Sequence, residues 1–160
     1  MVRLFIGFIS IFACSIIGKE ITDKFRLKAN YYERVREFNL KLKQNLLYRC
    51  DSLLNLVDYR TKNEHFNQTL QSYKLYLFTQ GNIDDLYMPQ FLDEEDRQNL
   101  LSYFLQIGKG NTISELEFIE YFDGELIEKL SKIRDKSNKF SNLGQKLGFS
   151  FGLGIFILIL

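Results

Sequence analysis

Residues 149–160 read FSFGLGIFILIL and residues 4–17 read LFIGFISIFACSII. Neither stretch holds a charged side chain, and the second has only Ser10 and Ser15 as polar residues. Between them, Lys19 to Lys146 carry nearly every ionisable group of the 160-residue chain. A membrane-spanning helix needs roughly 20 apolar residues to cross a hydrocarbon core about 30 Å thick, with about 17 as a workable lower limit. Residues 1–18 reach that limit if Arg3 extends its guanidinium to the headgroups, and residues 143–160 do so with Lys146 near the interface. Both are short spans that slight local thinning of the bilayer would accommodate. A buried core helix is the competing reading of the C-terminal stretch. Such a helix normally keeps one polar face, whereas Ile155 to Leu160 is apolar all round.

At the front, a secretory leader would combine a basic start, an apolar run and a small-residue cleavage site. Ile11-Phe12-Ala13-Cys14 faintly resembles a lipoprotein cleavage box, but Phe12 fits it poorly and the apolar run continues through Ile16 and Ile17. An uncleaved anchor is therefore the better reading. The alternative is a membrane-anchored lipoprotein, acylated on Cys14, with a helical binding domain.

Flanking charge orients the chain. Arg3 is the only basic side chain outside the first segment, and Lys19, Lys24, Arg26 and Lys28 follow it. Lys132, Arg134, Lys136, Lys139 and Lys146 precede or border the second segment. The positive-inside rule then puts residues 19–142 in the cytoplasm and the two termini across the membrane. Small residues recur every fourth position in both segments, as Ser10, Cys14 and Gly18 and as Gly144, Gly148 and Gly152. Ridges of this kind let helix backbones approach closely in lipid, and an antiparallel pairing of the two segments is expected through them.

The middle follows the helical rather than the strand period. Ile21, Phe25, Tyr32, Val35, Leu42 and Leu46 mark one face of a long helix leaving the membrane. Asp51 and Ser52 can cap a helix using Leu53, Leu54 and Val57. Phe66, Leu70, Tyr73 and Leu77 mark the next, broken at Gly81-Asn82, and Met88-Pro89 marks a loop or a helix start. Asp93 is an N-cap for a helix through Leu100, Leu101, Phe104 and Ile107. Thr112 with Glu115 reads as a capping box, opening a last helix with Leu116, Ile119, Leu126, Leu130, Ile133 and Phe140 that continues toward the membrane segment. The expectation is an all-α fold, a compact bundle of five or six helices flanked by two short transmembrane helices.

Composition and motifs argue against most chemistry. The net charge is +1, with mixed signs and no basic stripe interleaved with aromatics, so nucleic-acid binding has little support. Cys14 and Cys50 lack metal or redox spacing, and a reducing compartment is the simpler reading. His65 has no acidic or Cys partner at helical spacing, which suits a surface or capping role. Gly108-Lys109-Gly110-Asn111-Thr112 lacks the Gly-x4-Gly-Lys-Ser/Thr spacing of a phosphate loop, and no strand precedes it. Asp93-Glu94-Glu95-Asp96 lacks the alternating ligands and glycine of a calcium loop; acids at a helix start suit the helix dipole. No enzyme, cofactor, metal or small-molecule substrate is expected.

The layout resembles the stage III sporulation protein AB family of endospore-forming bacteria, over the whole chain. Leu143, Leu147-Gly148 and Gly152-Leu153 before Ile155 to Leu160 look like the family's apolar ending. Gly18-Lys19-Glu20-Ile21 looks like its membrane-exit stretch. Leu46 to Tyr48 falls where the family has a Glu-Ile-x-Tyr pattern, and Leu101 to Gly108 where it has a Leu, Phe and Leu-Gly pattern. Asn45 stands in place of the Glu, Cys50-Asp51-Ser52-Leu53 replaces the usual Pro-Leu, and a Gln-rich stretch near Phe118 is absent. The resemblance implies a non-catalytic platform on the mother-cell side of a sporulation-specific, secretion-like channel complex. It also implies a helical domain similar to the cytoplasmic domain of type II secretion and type IV pilus platform proteins. The implied partners are a secretion-type ATPase of the same complex and other sporulation membrane proteins.

Overall fold

In a computed structural model of the chain, the backbone is described for residues 2–48 and 51–159, and side chains for residue 20, for 22–48 and for 51–140. Among the described residues the protein is all-helical, with five α-helices: α1 (Val2–Tyr48), α2 (Leu53–Val57), α3 (Glu64–Thr79), α4 (Glu94–Gln106) and α5 (Thr112–Ile159). A short 3-10 turn, Ile83–Asp85, lies between α3 and α4. The chain divides into two compact units, one of residues 30–130 and one of residues 1–29 with 131–160, and both long helices contribute to each.

In the unit of residues 30–130, α1 buries a wide arc. Tyr31, Tyr32, Val35, Phe38, Asn39 and Leu42 are all at most 4% exposed. The single stripe expected from Tyr32, Val35, Leu42 and Leu46 is therefore too narrow. The helix is contacted from more than one side, so Tyr31 and Phe38 join the core, whereas Leu46 is only half-buried. Aromatic rings link the helices in series. Phe38 of α1 meets Phe66 of α3 (6.1 Å between centroids) and Phe104 of α4 (6.5 Å). Phe104 also meets Tyr73 of α3 at 4.8 Å, and Tyr103 stacks on Phe122 of α5 at 4.0 Å with planes 12° apart. Each such pair adds about 0.5–1.5 kcal/mol beyond the area it buries.

The helix ends follow local chemistry. Asn63 caps α3 by accepting from the Phe66 amide (3.0 Å), and Asp93 caps α4 by accepting from the Asp96 amide (3.0 Å), as its position predicts. The cap of α5 is Asn111 rather than Thr112: its Oδ1 accepts from the Ser114 amide at 2.9 Å. Asn outranks Thr as an N-cap, and the shift of one residue frees the Glu115 carboxylate to accept from the Gly108 amide instead. At the other end of α3 the left-handed residue is Gln80 (φ 50°), so the helix stops one residue before Gly81. The turn between α4 and α5 uses Gly108 at φ +77°, where a Cβ would also meet Leu53 Cδ2 at 3.0 Å. A side chain there is disfavoured by both conformation and space.

The segment from Gly81 to Asp93 enters no α-helix, and it is held by polar contacts and by burial of Leu86 and Leu92. Tyr87 donates its amide to Ser72 Oγ (3.0 Å) and its carbonyl accepts from Thr69 Oγ1 (3.1 Å). The Tyr31 hydroxyl lies 2.9 Å from the same Thr69 oxygen. Met88-Pro89 is thus a loop and no helix start.

A fully buried polar tie between the long helices is made by Asn39. Its Nδ2 donates to the Ile119 carbonyl of α5 (3.0 Å), and its Oδ1 accepts from the Tyr103 hydroxyl of α4 (3.0 Å). All three side chains are at most 1% exposed. Asn39→Leu keeps the approximate shape but leaves the Tyr103 hydroxyl and the Ile119 carbonyl buried without this partner. It is expected to lower stability by about 1–3 kcal/mol, read as a reduced midpoint in chemical denaturation of the full chain. Adding Tyr103→Phe in the same chain should recover part of the loss; additive losses would show that the two groups are not coupled.

Candidate functional site

Within the unit of residues 30–130, acids and bases join the same helices that the aromatic rings join. On the outer side of the α1–α5 seam, Arg36 Nε donates to Asp123 Oδ1 at 2.8 Å and Lys43 Nζ lies 2.8 Å from Glu120 Oε1. From Arg36–Asp123 to Lys43–Glu120 the pairing advances along α1 and retreats along α5, so the two helices run antiparallel here, with the Asn39 bond to Ile119 between them. Residues 36, 39 and 43 lie on neighbouring turns of one side of α1, which is why one partner helix meets all three.

Asp96 is the most buried charge described, at 0% exposure. It stands in the first turn of α4, in the acidic run Asp93 to Asp96 that sequence alone assigns to the helix dipole. The dipole accounts for its sign but not for its burial. Lys129 of α5 brings Nζ to 2.6 Å from Asp96 Oδ1, and the Tyr32 hydroxyl of α1 lies in the field of the same carboxylate. Burial first, then the charge of Asp96, pushes the Tyr32 hydroxyl far above the ordinary phenol range. This trio ties the start of α4 to both long helices. Sequence reading misses it because Lys129 and Asp96 lie 33 positions apart, beyond any helical spacing.

The remaining polar side chains also serve packing. His65 is half-buried on α3, with Nδ1 2.8 Å from the Tyr87 hydroxyl and its ring stacked on Tyr87 at 6.3 Å. It braces the loop after α3 rather than standing on the open surface. Glu115 is 8% exposed and closes the α4–α5 turn through Gly108. Among the described residues, no group of three or more His, Cys, Asp or Glu side chains is arranged to hold a metal ion. No helix among them is long and apolar enough to cross a membrane. The six positions expected to pack membrane helices, Ser10, Cys14 and Gly18 on α1 and Gly144, Gly148 and Gly152 on α5, lie outside the residues whose side chains are described.

Compared with known protein families, residues 3–160 match the family described as stage III sporulation protein AB. The chain belongs to that family. No curated protein and no solved structure matches it. Membership makes this a protein of sporulation stage III, and the structure gives physical content to residues on which the family resemblance rests. Phe104 is fully buried between Phe38 and Tyr73, and Ile107 is 3% exposed. Gly108 supplies the left-handed residue that ends α4. Asn45 grips the backbone at the next turn. Its Nδ2 donates to the Asp51 carbonyl (2.8 Å) and its Oδ1 accepts from the Asp51 amide (3.0 Å). The α2 cap, Ser52, makes no side-chain capping bond, so this grip sets the α1–α2 turn.

Lys129→Met removes the ammonium from beside a fully buried carboxylate and should destabilise the protein by about 3 kcal/mol. Asp96→Asn together with Lys129→Met should be less destabilised than Lys129→Met alone, because the uncompensated charge is gone. Thermal unfolding of the three chains measures this; a double variant no more stable than Lys129→Met would reject a buried ion pair as the tie.

Proposed function

We propose that this stage III sporulation protein AB is a non-catalytic membrane platform of a sporulation-specific, secretion-like complex, which couples a cytoplasmic ATPase to membrane subunits on the mother-cell side. The observation that carries the reading is the continuity of the two long helices. Each runs without a break from an apolar end of the chain into the helical unit, α1 from Val2 to Tyr48 and α5 from Thr112 to Ile159. A continuous helix transmits displacement better than a flexible linker, which suits a part that must hold a motor in place against a membrane. The basic residues beside both apolar ends favour a cytoplasmic helical unit. The ends themselves are proposed as transmembrane helices, residues 1–18 and 143–160.

The described contacts near the membrane also support a register for their pairing. In the unit of residues 1–29 and 131–160, Phe25 of α1 stacks on Phe140 of α5, centroids 5.4 Å apart and planes 12° from parallel. One helical turn advances about four residues. Steps of three, four and four residues back along α1, each matched by four residues forward along α5, would set Thr22 against Gly144, then Gly18 against Gly148, then Cys14 against Gly152. The two small-residue ridges, with Ser10 one turn beyond, would face each other in that register, as close approach in lipid requires.

Three measurements test the proposal. In sporulating cells the intact protein should co-purify with the secretion-type ATPase, and failure to associate under any mild extraction would remove the platform role. Protease added to intact protoplasts should spare residues 19–142; digestion from outside would favour a lipoprotein acylated on Cys14. Mild oxidation should join Cys14 to a cysteine placed by Gly152→Cys within one chain, since a disulfide needs Cα atoms within about 7 Å. Gly148→Leu in that background should reduce the yield, and an unchanged yield would reject the ridge register.

A further inference from the structure

Gly124 lies inside α5, and nothing among the described residues accounts for it. A Cβ built there meets no atom within 4 Å, the position is exposed, and the helix continues without a break on either side. A glycine in a helix interior weakens the helix relative to alanine, through the backbone freedom it loses on folding. Close packing inside the protein or a positive φ would offset that cost, and neither is present at Gly124. A third use of glycine is to let another backbone come close.

The residues around Gly124 are what an incoming helix would meet. Positions three and four away on a helix are its surface neighbours; here they are Glu120, Tyr121, Ile127 and Glu128. Tyr121 and Ile127 are 66% and 47% exposed, and Ile113 farther along is 73% exposed. Around these apolar groups α5 itself carries one sign of charge, with Glu120 and Asp123 paired to Lys43 and Arg36 of α1. From Thr112 to Glu128 the helix holds six acidic residues and no basic one, although the whole chain is balanced at +1. Glu117, Glu120, Glu125 and Glu128 are exposed. The Tyr121 hydroxyl donates to Glu125 Oε1 at 2.6 Å, which holds the ring along the helix beside Gly124.

We propose that this face of α5, centred on Gly124 and bounded by Ile113 and Glu128, docks a basic amphipathic helix of a partner protein. The partner helix would lay its apolar face across Gly124 between Tyr121 and Ile127 and set Lys or Arg side chains against the flanking glutamates. Charge complementarity commits the choice of occupant: an anionic lipid surface or an acidic segment would be repelled by the same glutamates. The inference deepens the docking role proposed above. Its test does not involve the ATPase or the membrane segments, so either can fail alone.

The test is binding of a fluorescent synthetic helix of Leu and Lys, patterned with one apolar and one basic face, to the full-length chain in neutral detergent. A peptide of the same pattern with Glu for Lys is the control. The Leu/Lys peptide should bind and the Leu/Glu peptide should not. Gly124→Leu should weaken binding by about tenfold, the usual scale of a centrally placed interface change, while thermal unfolding shows stability equal or higher. Gly124→Ala, with its smaller intrusion, should bind between the two. Glu117→Lys should weaken binding, whereas Asp85→Lys, an exposed charge change outside α5, should not. Equal binding by Gly124→Leu and the natural chain would overturn the proposal. So would equal weakening by Asp85→Lys, which would reveal a non-specific charge effect. Self-association of the natural chain that Gly124→Leu abolishes would also overturn it, making a second copy the occupant; binding to anionic vesicles through these residues would replace the helix with lipid.

Discussion

Asn39 stands where three helices meet, and its carboxamide answers two demands at once. The amide nitrogen reaches a carbonyl of α5 and the oxygen accepts a hydrogen bond from Tyr103 of α4. The carbonyl of Ile119 belongs to a continuing helix, so Asn39 adds a second bond to a group that already accepts along the helix. Such a bond is worth little in net free energy, but it is directional. Hydrophobic burial around Phe38, Phe104 and Ile119 holds α1, α4 and α5 together without choosing a rotation for α1. A buried amide with one donor partner and one acceptor partner does choose, because any other rotation leaves polar atoms dry and unpaired.

The Asp96, Lys129 and Tyr32 trio repeats this logic with charge. A carboxylate at full burial is tolerated only with a close countercharge and hydrogen bonds. Here the first turn of α4 supplies favourable amide dipoles as well. The Asn39 bonds from α1 and the Asp96–Lys129 pair between α4 and α5 then restrict both rotation and register. A unit built in this way suits a role as a rigid fixture, since the helices cannot slide without exposing or stranding a buried group.

Much of the fold is legible in the order of residues along the chain. The α3 core positions Phe66, Leu70 and Tyr73, the Asp93 cap and the Gly108 turn follow from helical period and from cap and turn chemistry. These are local rules, and local rules survive packing when side-chain preference and burial agree. One departure is local too: Asn111 rather than Thr112 caps α5, because a better acceptor sits one residue earlier. His65 departs for a different reason. Its spacing suits a surface or capping role, yet it packs on Tyr87, a contact across 22 positions that spacing cannot forecast. The same holds for Lys129 with Asp96 and for Asn39 with Ile119 and Tyr103.

The sequence by itself determined that the chain is helical, that nearly all its charge lies between two apolar ends, and that its family is that of stage III sporulation protein AB. Periodicity, caps and charge placement are properties of neighbouring residues, and they need no partner helix to be expressed. Only tertiary structure decided which polar residues become ties and which remain on the surface. Asp96 and Glu95 are adjacent acids in one helical turn, and only the first meets Lys129. Gly124 became informative in the same way: in sequence it is one more glycine, and only the empty space beyond its Cα shows that the fold itself does not require it.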